Sequence, residues 1–132
     1  MGSREVDVYS LCLQRDFVAQ HFLVGGDWGD ENRPHTHRYR LEVRLEGGQL
    51  DQHGFLVDLV ELQDAVDAIL GRIDERSLND LPEFAGLNPS LEHFARIVCQ
   101  ELDRSLANGR LEAVEVRVWE DGSAWASYRR TR

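Results

Sequence analysis

Residues 35–46 read HTHRYRLEVRLE, a stretch in which apolar and charged side chains alternate. In a β-strand, every second side chain lies on the same face of the sheet. The odd-numbered positions from Tyr39 to Leu45 are apolar, and the even-numbered positions from Arg38 to Glu46 are charged. The pattern predicts a strand with one buried and one solvent-facing side, and His35-Thr36-His37 begins it with both imidazoles on the buried side.

Two imidazoles at the start of an apolar strand face allow two interpretations. A buried imidazole is costly unless its ring nitrogens have partners. Backbone groups and water at a sheet edge can serve as partners, and so can a metal ion, because neutral imidazole is a common metal ligand. A His-x-His pair on a strand suits zinc in particular. The pair by itself leaves both interpretations open.

The composition is that of an ordinary globular protein and excludes several classes of function. The 132 residues, 42% hydrophobic and 30% charged, predict one domain that covers residues 1–132. A net charge of −9 argues against a nucleic-acid partner, which requires a basic surface. No stretch approaches the ~20 apolar residues of a membrane span, and the N-terminus lacks a signal-peptide pattern. We therefore expect a cytoplasmic location and no membrane contact.

The chain contains no lysine, and all fifteen of its basic residues are arginine. Schiff-base catalysis and a lysine general base are therefore excluded. The two cysteines, Cys12 and Cys99, show neither a disulfide framework nor metal-site spacing. Both are predicted to be small buried residues, Cys12 in a strand and Cys99 in a helix.

Periodicity and turn signals predict six elements in the order ββααββ. The predicted elements are strands 6–21 and 37–46, a helix at 58–73, a helix between caps at Ser90 and Asn108-Gly109, and strands 111–120 and 123–129 joined by Asp121-Gly122. This order predicts an α+β fold in which two helices cover one face of a four-stranded antiparallel sheet. Such a sheet has two open edges, which favours self-association.

Four acidic residues are candidate functional groups. Glu120 shares the parity of the apolar residues of its strand, so its carboxylate heads toward the interior at the strand end. The Glu120 carboxylate either accepts hydrogen bonds from two N–H groups of a flat heterocycle or turns to solvent. Asp74-Glu75 follows the first predicted helix, and Glu31 precedes His35 by four residues. Each of these three acids is equally explained as a solvated surface group.

Six short motifs, taken together, resemble one known family. They are FVAQH (17–21), ENRPHTH (31–37), GFLVDL (54–59), IDERSLND (73–80), NPSLE (88–92) and VWE (118–120). In order and spacing they resemble the 6-pyruvoyl-tetrahydropterin synthase family, which includes 6-carboxytetrahydropterin synthase. The resemblance covers nearly the whole chain.

The resemblance implies a fold, an assembly and a metal site. The fold is the tunnelling fold, whose subunits join edge to edge into a barrel, commonly as a trimer or a dimer of trimers. Its active sites lie between subunits. The three zinc ligands of the family fall on His21, His35 and His37, and the pterin-anchoring glutamate falls on Glu120. Thr36 replaces the glycine that the family has between two of these histidines.

The catalytic positions depart from the family pattern. The usual Cys-Asp-His set falls on Glu31, Asp74 and Glu75, so that only the aspartate matches. The resemblance implies a zinc-dependent carbon–oxygen or carbon–carbon lyase acting on a pterin in folate or queuosine biosynthesis. With Glu31 as base, it would cleave the side chain of 7,8-dihydroneopterin triphosphate to leave 6-hydroxymethyl-7,8-dihydropterin. Two alternatives stay open: synthesis of 6-carboxytetrahydropterin or 6-pyruvoyl-tetrahydropterin, and a non-catalytic homologue that binds zinc and a pterin.

Overall fold

The computed structural model describes residues 6–132, which form a four-stranded sheet with two helices on one of its faces. In chain order the elements are β1 (Tyr9–His21), β2 (His35–Gly47), α1 (Leu59–Ile73), α2 (Leu91–Ser105), β3 (Ala113–Glu120) and β4 (Ala124–Thr131). Neighbouring strands are antiparallel throughout, and their order across the sheet is β1-β2-β3-β4. The predicted α+β class and sheet are therefore confirmed.

Both helices begin at side-chain caps. Asp58 accepts a hydrogen bond from the amide of Val60, and Ser90 accepts one from the amide of His93, which satisfies donors that the first helical turn leaves free. Helix α2 ends at Ser105, three residues before the predicted cap, and Asn108 donates its side-chain amide to the carbonyl of Leu56. Within residues 6–132, neither helix combines the length and the apolar character that crossing a bilayer requires.

The core lies between the helices and the inner face of the sheet. Alternate residues of the central strands and the apolar stripes of the helices form it; among them are Tyr39, Leu41, Val43, Leu45, Leu62, Val66, Phe94, Val98, Val114, Val116 and Val118. Odd-numbered residues of β1 and β2 face inward together because the two strands pair in register, with Leu11 opposite Leu45 and Phe17 opposite Tyr39. This parity carries His21, His35 and His37 to the inner face of the sheet.

One of the two cysteine predictions is wrong. Cys99 is buried as predicted, and its thiol lies against the carbonyl of Val114. Cys12 is exposed, because its even position places it opposite Arg44 on the outer, charged face of the sheet. Strand β1 also begins at Tyr9 rather than Val6, and Val6 is 73% exposed.

The outer face of the sheet is held by ion pairs between strands. Arg40 donates to Asp16 at 2.9 Å, which connects β2 with β1. Arg129 of β4 reaches across β3 and donates from both terminal nitrogens to the two carboxylate oxygens of Glu46, at 2.7 and 2.8 Å. The hydrogen bonds from Arg129 are the main reason why the pKa of Glu46 lies below its ordinary value of 4.5.

Replacing Arg129 by glutamine is expected to lower the free energy of unfolding at pH 7 only slightly, since Arg129 is exposed and water screens the pair. A carboxylate with a lowered pKa stabilises the fold above its ordinary pKa and loses that contribution as it is protonated. The difference between R129Q and the parent chain should therefore vanish as the pH falls well below 4.5. Urea unfolding between pH 3 and 7 measures it. Arg76→Gln is the control, because Arg76 forms no ion pair among residues 6–132. A difference that does not shrink as the pH falls below 4.5 would contradict this account.

Candidate metal centre and adjoining cleft

Three histidine rings form a cluster at the end of β1 and the start of β2. His21 lies directly opposite His35 in the strand register, and His37 is two positions further along on the same face. The ring centroids are 4.6, 4.7 and 4.8 Å apart, and each pair of rings is close to perpendicular. His21 is buried, with 5% of its surface exposed. Burial lowers the pKa of His21 below its ordinary value of 6.5, so that this ring is neutral at pH 7.

The Nε2 atoms of the three histidines are buried, and none of them has a hydrogen-bond partner among the described residues. Together with a carboxylate oxygen of Glu31, one nitrogen from each of His21, His35 and His37 lies within 4.8 Å of all the others. Buried polar atoms without a partner are rare in native folds. Their convergence on one point is the feature that a metal ion explains.

The opposite ring nitrogens all have oxygen partners. Nδ1 of His21 lies 3.1 Å from the carbonyl of Pro89, Nδ1 of His35 lies 2.7 Å from the carbonyl of Arg33, and Nδ1 of His37 lies 2.5 Å from the Oδ2 atom of Asp121. An Nδ1–H group that donates to such an oxygen leaves a lone pair on Nε2, which is the arrangement found in metal-ligating histidines. The residues therefore fit a metal held by three neutral imidazoles.

Two carboxylates border the histidine cluster. Glu31 lies in a short 3₁₀ helix, Gly29–Asn32, and its Oε2 atom is 2.9 Å from Nε2 of His35. Glu120 ends β3, and its Oε1 atom is 2.7 Å from Nε2 of His37. Neither contact has hydrogen-bond geometry, although both are within ion-pair distance. Burial raises the pKa of Glu120 above its ordinary value, while His37 acts in the opposite direction. The parity of β3 indeed directs Glu120 inward, opposite Tyr39.

The structure does not bring Asp74 and Glu75 into this cluster. Asp74 ends α1 and accepts a hydrogen bond from the amide of Val18, and the amide of Glu75 donates to the carbonyl of Val18. Both residues thus cover part of the outer edge of β1. Glu75 has a φ of +61°, a left-handed conformation that is costly for a residue with a side chain. The two side chains are exposed to solvent.

Asp74 and Glu75 line a cleft of about 720 Å³ whose lining contains none of the three histidines. Its other walls include Arg38, Tyr39 and Trp119, and Asp121 borders it as well. Tyr39 and Asp121 adjoin both the cleft and the cluster, since the hydroxyl of Tyr39 lies 3.4 Å from Nδ1 of His21 and the carboxylate of Asp121 contacts His37. A cleft of this volume is of the size that holds a small organic molecule.

Sequence reasoning missed the partners of the Nδ1 atoms. Asp121 was identified only as part of a hairpin turn, and the carbonyls of Arg33 and Pro89 carry no sequence signal. The register could have revealed Asp121, because Glu120 opposite Tyr39 brings the next residue beside Arg38. The amide of Asp121 indeed donates to the carbonyl of Arg38 at 2.8 Å.

Comparison with known proteins gives relatives in sequence and in structure. The chain is 29% identical over 129 residues to the 6-carboxy-5,6,7,8-tetrahydropterin synthase of Bacillus subtilis, covering 92% of this chain and 86% of that protein. The solved structure of Caenorhabditis elegans 6-pyruvoyl tetrahydropterin synthase matches with a TM-score of 0.81 and 22% identity, over 98% of this chain and 100% of that one.

A third relative, 6-pyruvoyltetrahydropterin synthase of Plasmodium vivax, has been solved with cysteine in place of a glutamate described as a catalytic residue. It matches with a TM-score of 0.77 and 17% identity, over 96% of this chain and 99% of that chain. At these identities the two structures establish the shared fold alone. The family model for 6-pyruvoyl tetrahydropterin synthase matches residues 10–131, and the family expected from the sequence motifs is thereby confirmed. The chain belongs to the 6-pyruvoyl tetrahydropterin synthase family.

Proposed function

We propose that this protein is a zinc-dependent lyase that acts on a dihydropterin, with His21, His35 and His37 as the metal ligands. The observation that carries the proposal is the convergence of three buried Nε2 atoms that lack hydrogen-bond partners. Three histidines on Zn²⁺ leave one coordination position open for a substrate oxygen, as in catalytic zinc sites. The family membership supports a pterin as the substrate.

Glu120 is proposed to anchor the pterin ring. Its side chain is 24% exposed, so that an incoming ring can reach it, and it lies at the strand end beside His37. A half-buried carboxylate has lost part of its hydration, which two N–H groups on one edge of a pterin can replace. The raised pKa of Glu120 in the free protein has the same cause, because burial disfavours the charged form until such donors are present.

Glu31 is proposed to be the general base. Its carboxylate is 53% exposed and points toward the histidine cluster, where its Oε2 atom is 2.9 Å from Nε2 of His35. Bound zinc would polarise the side-chain oxygens of the substrate and make a hydroxyl more acidic. Glu31 then accepts the proton of the hydroxyl on the second side-chain carbon, a C=O bond forms at that carbon, and its C–C bond to the carbon next to the ring breaks. The outer two carbons leave as an aldehyde that keeps the triphosphate. The electron pair of the broken bond is delocalised into the ring, and the carbon next to the ring takes up a proton. On 7,8-dihydroneopterin triphosphate this cleavage leaves 6-hydroxymethyl-7,8-dihydropterin. The catalytic glutamate of the Plasmodium vivax enzyme supports a glutamate in this role.

Asp74 and Glu75 are proposed to relay protons in the site of a neighbouring subunit. Asp74 and Glu75 lie outside the histidine cluster of their own chain, at the outer edge of β1. Strand β1 is an edge strand of the sheet. The other edge strand is β4, and an exposed edge can pair with another chain. We accordingly propose a homo-oligomer, a trimer or a dimer of trimers, in which sheets join into a barrel and the sites form between subunits.

Synthesis of 6-carboxytetrahydropterin is the second candidate function, because the Bacillus subtilis relative carries that activity in its name. A non-catalytic protein that binds zinc and a pterin is the third, because Asp74 and Glu75 lie outside the cluster and the family histidine is absent at position 75. The absence of nucleic-acid and membrane partners, the cytoplasmic location and the single domain stay predictions from composition.

The zinc-loaded protein, incubated with 7,8-dihydroneopterin triphosphate, is expected to release 6-hydroxymethyl-7,8-dihydropterin, which chromatography with fluorescence detection identifies. A 6-carboxy or 6-pyruvoyl product would select the synthase alternative instead. If the ring binds tightly and nothing is converted, the protein is the non-catalytic homologue.

Replacing Glu31 by glutamine is expected to lower kcat by roughly 10²–10⁴-fold, the range that a general base contributes. Glutamine keeps the size of the side chain and removes the group that accepts the proton. Asp30→Asn is the matched control, since Asp30 is an exposed neighbour in the same 3₁₀ helix, and its kcat should equal that of the parent. Unchanged turnover in E31Q would show that another residue takes the proton.

A further inference from the structure

Asp121 contacts the histidine cluster from the turn between β3 and β4. Its Oδ2 atom lies 2.5 Å from Nδ1 of His37, and its Oδ1 atom accepts a hydrogen bond from the amide of Arg38 at 3.1 Å. Both carboxylate oxygens are therefore directed to consecutive residues of β2. A turn aspartate that only shapes its hairpin would bond to the backbone of its own turn. The contacts of Asp121 lead away from the turn and into the cluster.

The backbone holds this carboxylate in place. Asp121 has a φ of +52° and Gly122 has a φ of +76°, the left-handed pair that a tight hairpin turn requires. Glycine or asparagine would adopt this conformation at position 121 with less strain than most residues. The amide of Asp121 donates to the carbonyl of Arg38 at 2.8 Å, which fixes the turn to the start of β2. The aspartate is thus presented rigidly to His37.

His37 differs from the other two histidines in having carboxylates on both sides of its ring. Nδ1 of His21 and of His35 faces a neutral backbone carbonyl, whereas Nδ1 of His37 faces Asp121 and its Nε2 is 2.7 Å from Glu120. A neutral imidazole carries one proton, which can lie on either nitrogen. If the proton were on Nε2, that nitrogen could not bind a metal. The position of the proton on His37 therefore decides whether the cluster has three ligands or two.

We propose that Asp121 is a positioning residue that holds the proton of His37 on Nδ1, so that Nε2 stays available as a metal ligand. This inference rests on the proposed metal-dependent function. It extends that function by naming the group that keeps one ring nitrogen of His37 free for the metal. A carboxylate at Nδ1 also makes Nε2 a stronger donor to the metal than a carbonyl does.

Two substitutions test the role of Asp121. Asp121→Asn preserves the size of the side chain, but it offers one acceptor oxygen to two donors, so either His37 or Arg38 loses its partner. Asp121→Gly removes the side chain and suits the positive φ, so the hairpin is kept. Asp27→Asn is the control, because Asp27 is a nearby loop carboxylate that accepts only from the amide of Gly29. Circular dichroism and thermal melts verify that all variants are folded.

The first readout is the side-chain ¹⁵N spectrum of the metal-free, histidine-labelled protein. The Nδ1–H form of His37 is expected to predominate in the parent and in D27N, and to be replaced by an Nε2–H form or a mixture in D121N and D121G. The second readout is the zinc affinity, measured by competition with a chromophoric chelator. It is expected to fall by roughly 10–100-fold in both Asp121 variants, the range for losing a partner of a metal-bound histidine.

The readouts separate the failure of this inference from the failure of the proposed function. An Nδ1–H form that persists in D121N and D121G overturns the inference, whether or not zinc affinity falls, since Asp121 would then act through its charge alone. If the parent binds no zinc at all, the metal-dependent function fails. The inference on His37 would still stand if the tautomer changes in the two Asp121 variants and not in D27N.

Discussion

Replacing His35 by alanine is expected to abolish stoichiometric zinc in the purified protein. His35 supplies one of three converging Nε2 atoms, and the remaining two imidazoles cannot complete the three-ligand set of a catalytic zinc site. The loss of affinity should exceed the roughly 10–100-fold that follows from removing an outer partner of a metal-bound histidine. Among the three rings His21 is almost fully buried, so His35, with 24% of its side chain exposed, is the substitution that disturbs packing less.

The measurement is the zinc content per chain by elemental analysis, together with the zinc-dependent rise in melting temperature. His53→Ala serves as the matched control, because His53 is exposed and belongs to none of the groups of potential metal ligands in residues 6–132. Its zinc content should equal that of the parent chain. Equal zinc content in H35A and H53A would place the metal elsewhere and remove the basis of the proposed function.

Replacing Phe94 by alanine is expected to lower the free energy of unfolding by about 3–5 kcal/mol, the usual cost of deleting a fully buried aromatic ring. Phe94 on α2 is 1% exposed, and its ring lies against three others: Phe17 at 5.7 Å, Tyr39 at 5.4 Å and Phe84 at 5.6 Å between centroids. These contacts join the helix to β1 and β2 directly below the histidine cluster. The hydroxyl of Tyr39 lies 3.4 Å from Nδ1 of His21, so the cavity would also loosen support for the histidine cluster.

Urea unfolding at one fixed protein concentration measures the loss, since self-association would add to the apparent stability. Phe55→Ala is the control for ring removal, because Phe55 is 55% exposed and its loss should change the free energy of unfolding by no more than about 0.5 kcal/mol. Similar losses in F94A and F55A would show that Phe94 does not hold the core together.

The elements and the shared face of the histidines could be predicted because both depend on local periodicity. A strand repeats every two residues, so the odd positions of β2 carry Tyr39 and His37 to the same side whatever the rest of the chain does. The helix cap at Ser90 is a local signal too, and the structure has it. The predicted bounds differ from the structure at two element ends, the start of β1 and the end of α2, where tertiary contacts compete with local propensity.

The contacts of Asp74 and Glu75 could not be predicted from the sequence pattern, because they join residues that are far apart in the chain. The Asp74 side chain and the Glu75 amide hydrogen-bond to the backbone of Val18 across more than fifty residues, and these bonds keep both residues out of the cluster. The exposure of Cys12 is a different case, because the parity of β1 alone places it on the outer face.

The sequence by itself determined the sheet, the two helices, the family and the set of three histidines on one face of two strands, because side-chain periodicity and motif spacing are properties of the chain alone. Only the tertiary structure decided which nitrogen of each ring faces the cluster. That choice depends on acceptors brought from distant segments, namely the carbonyl of Pro89 and the carboxylate of Asp121, which lies 84 positions from His37. The stretch HTH thus supplies two of the three proposed ligands, and the fold around it orients their rings, since a metal-ligating imidazole usually has a hydrogen-bond partner at its other nitrogen.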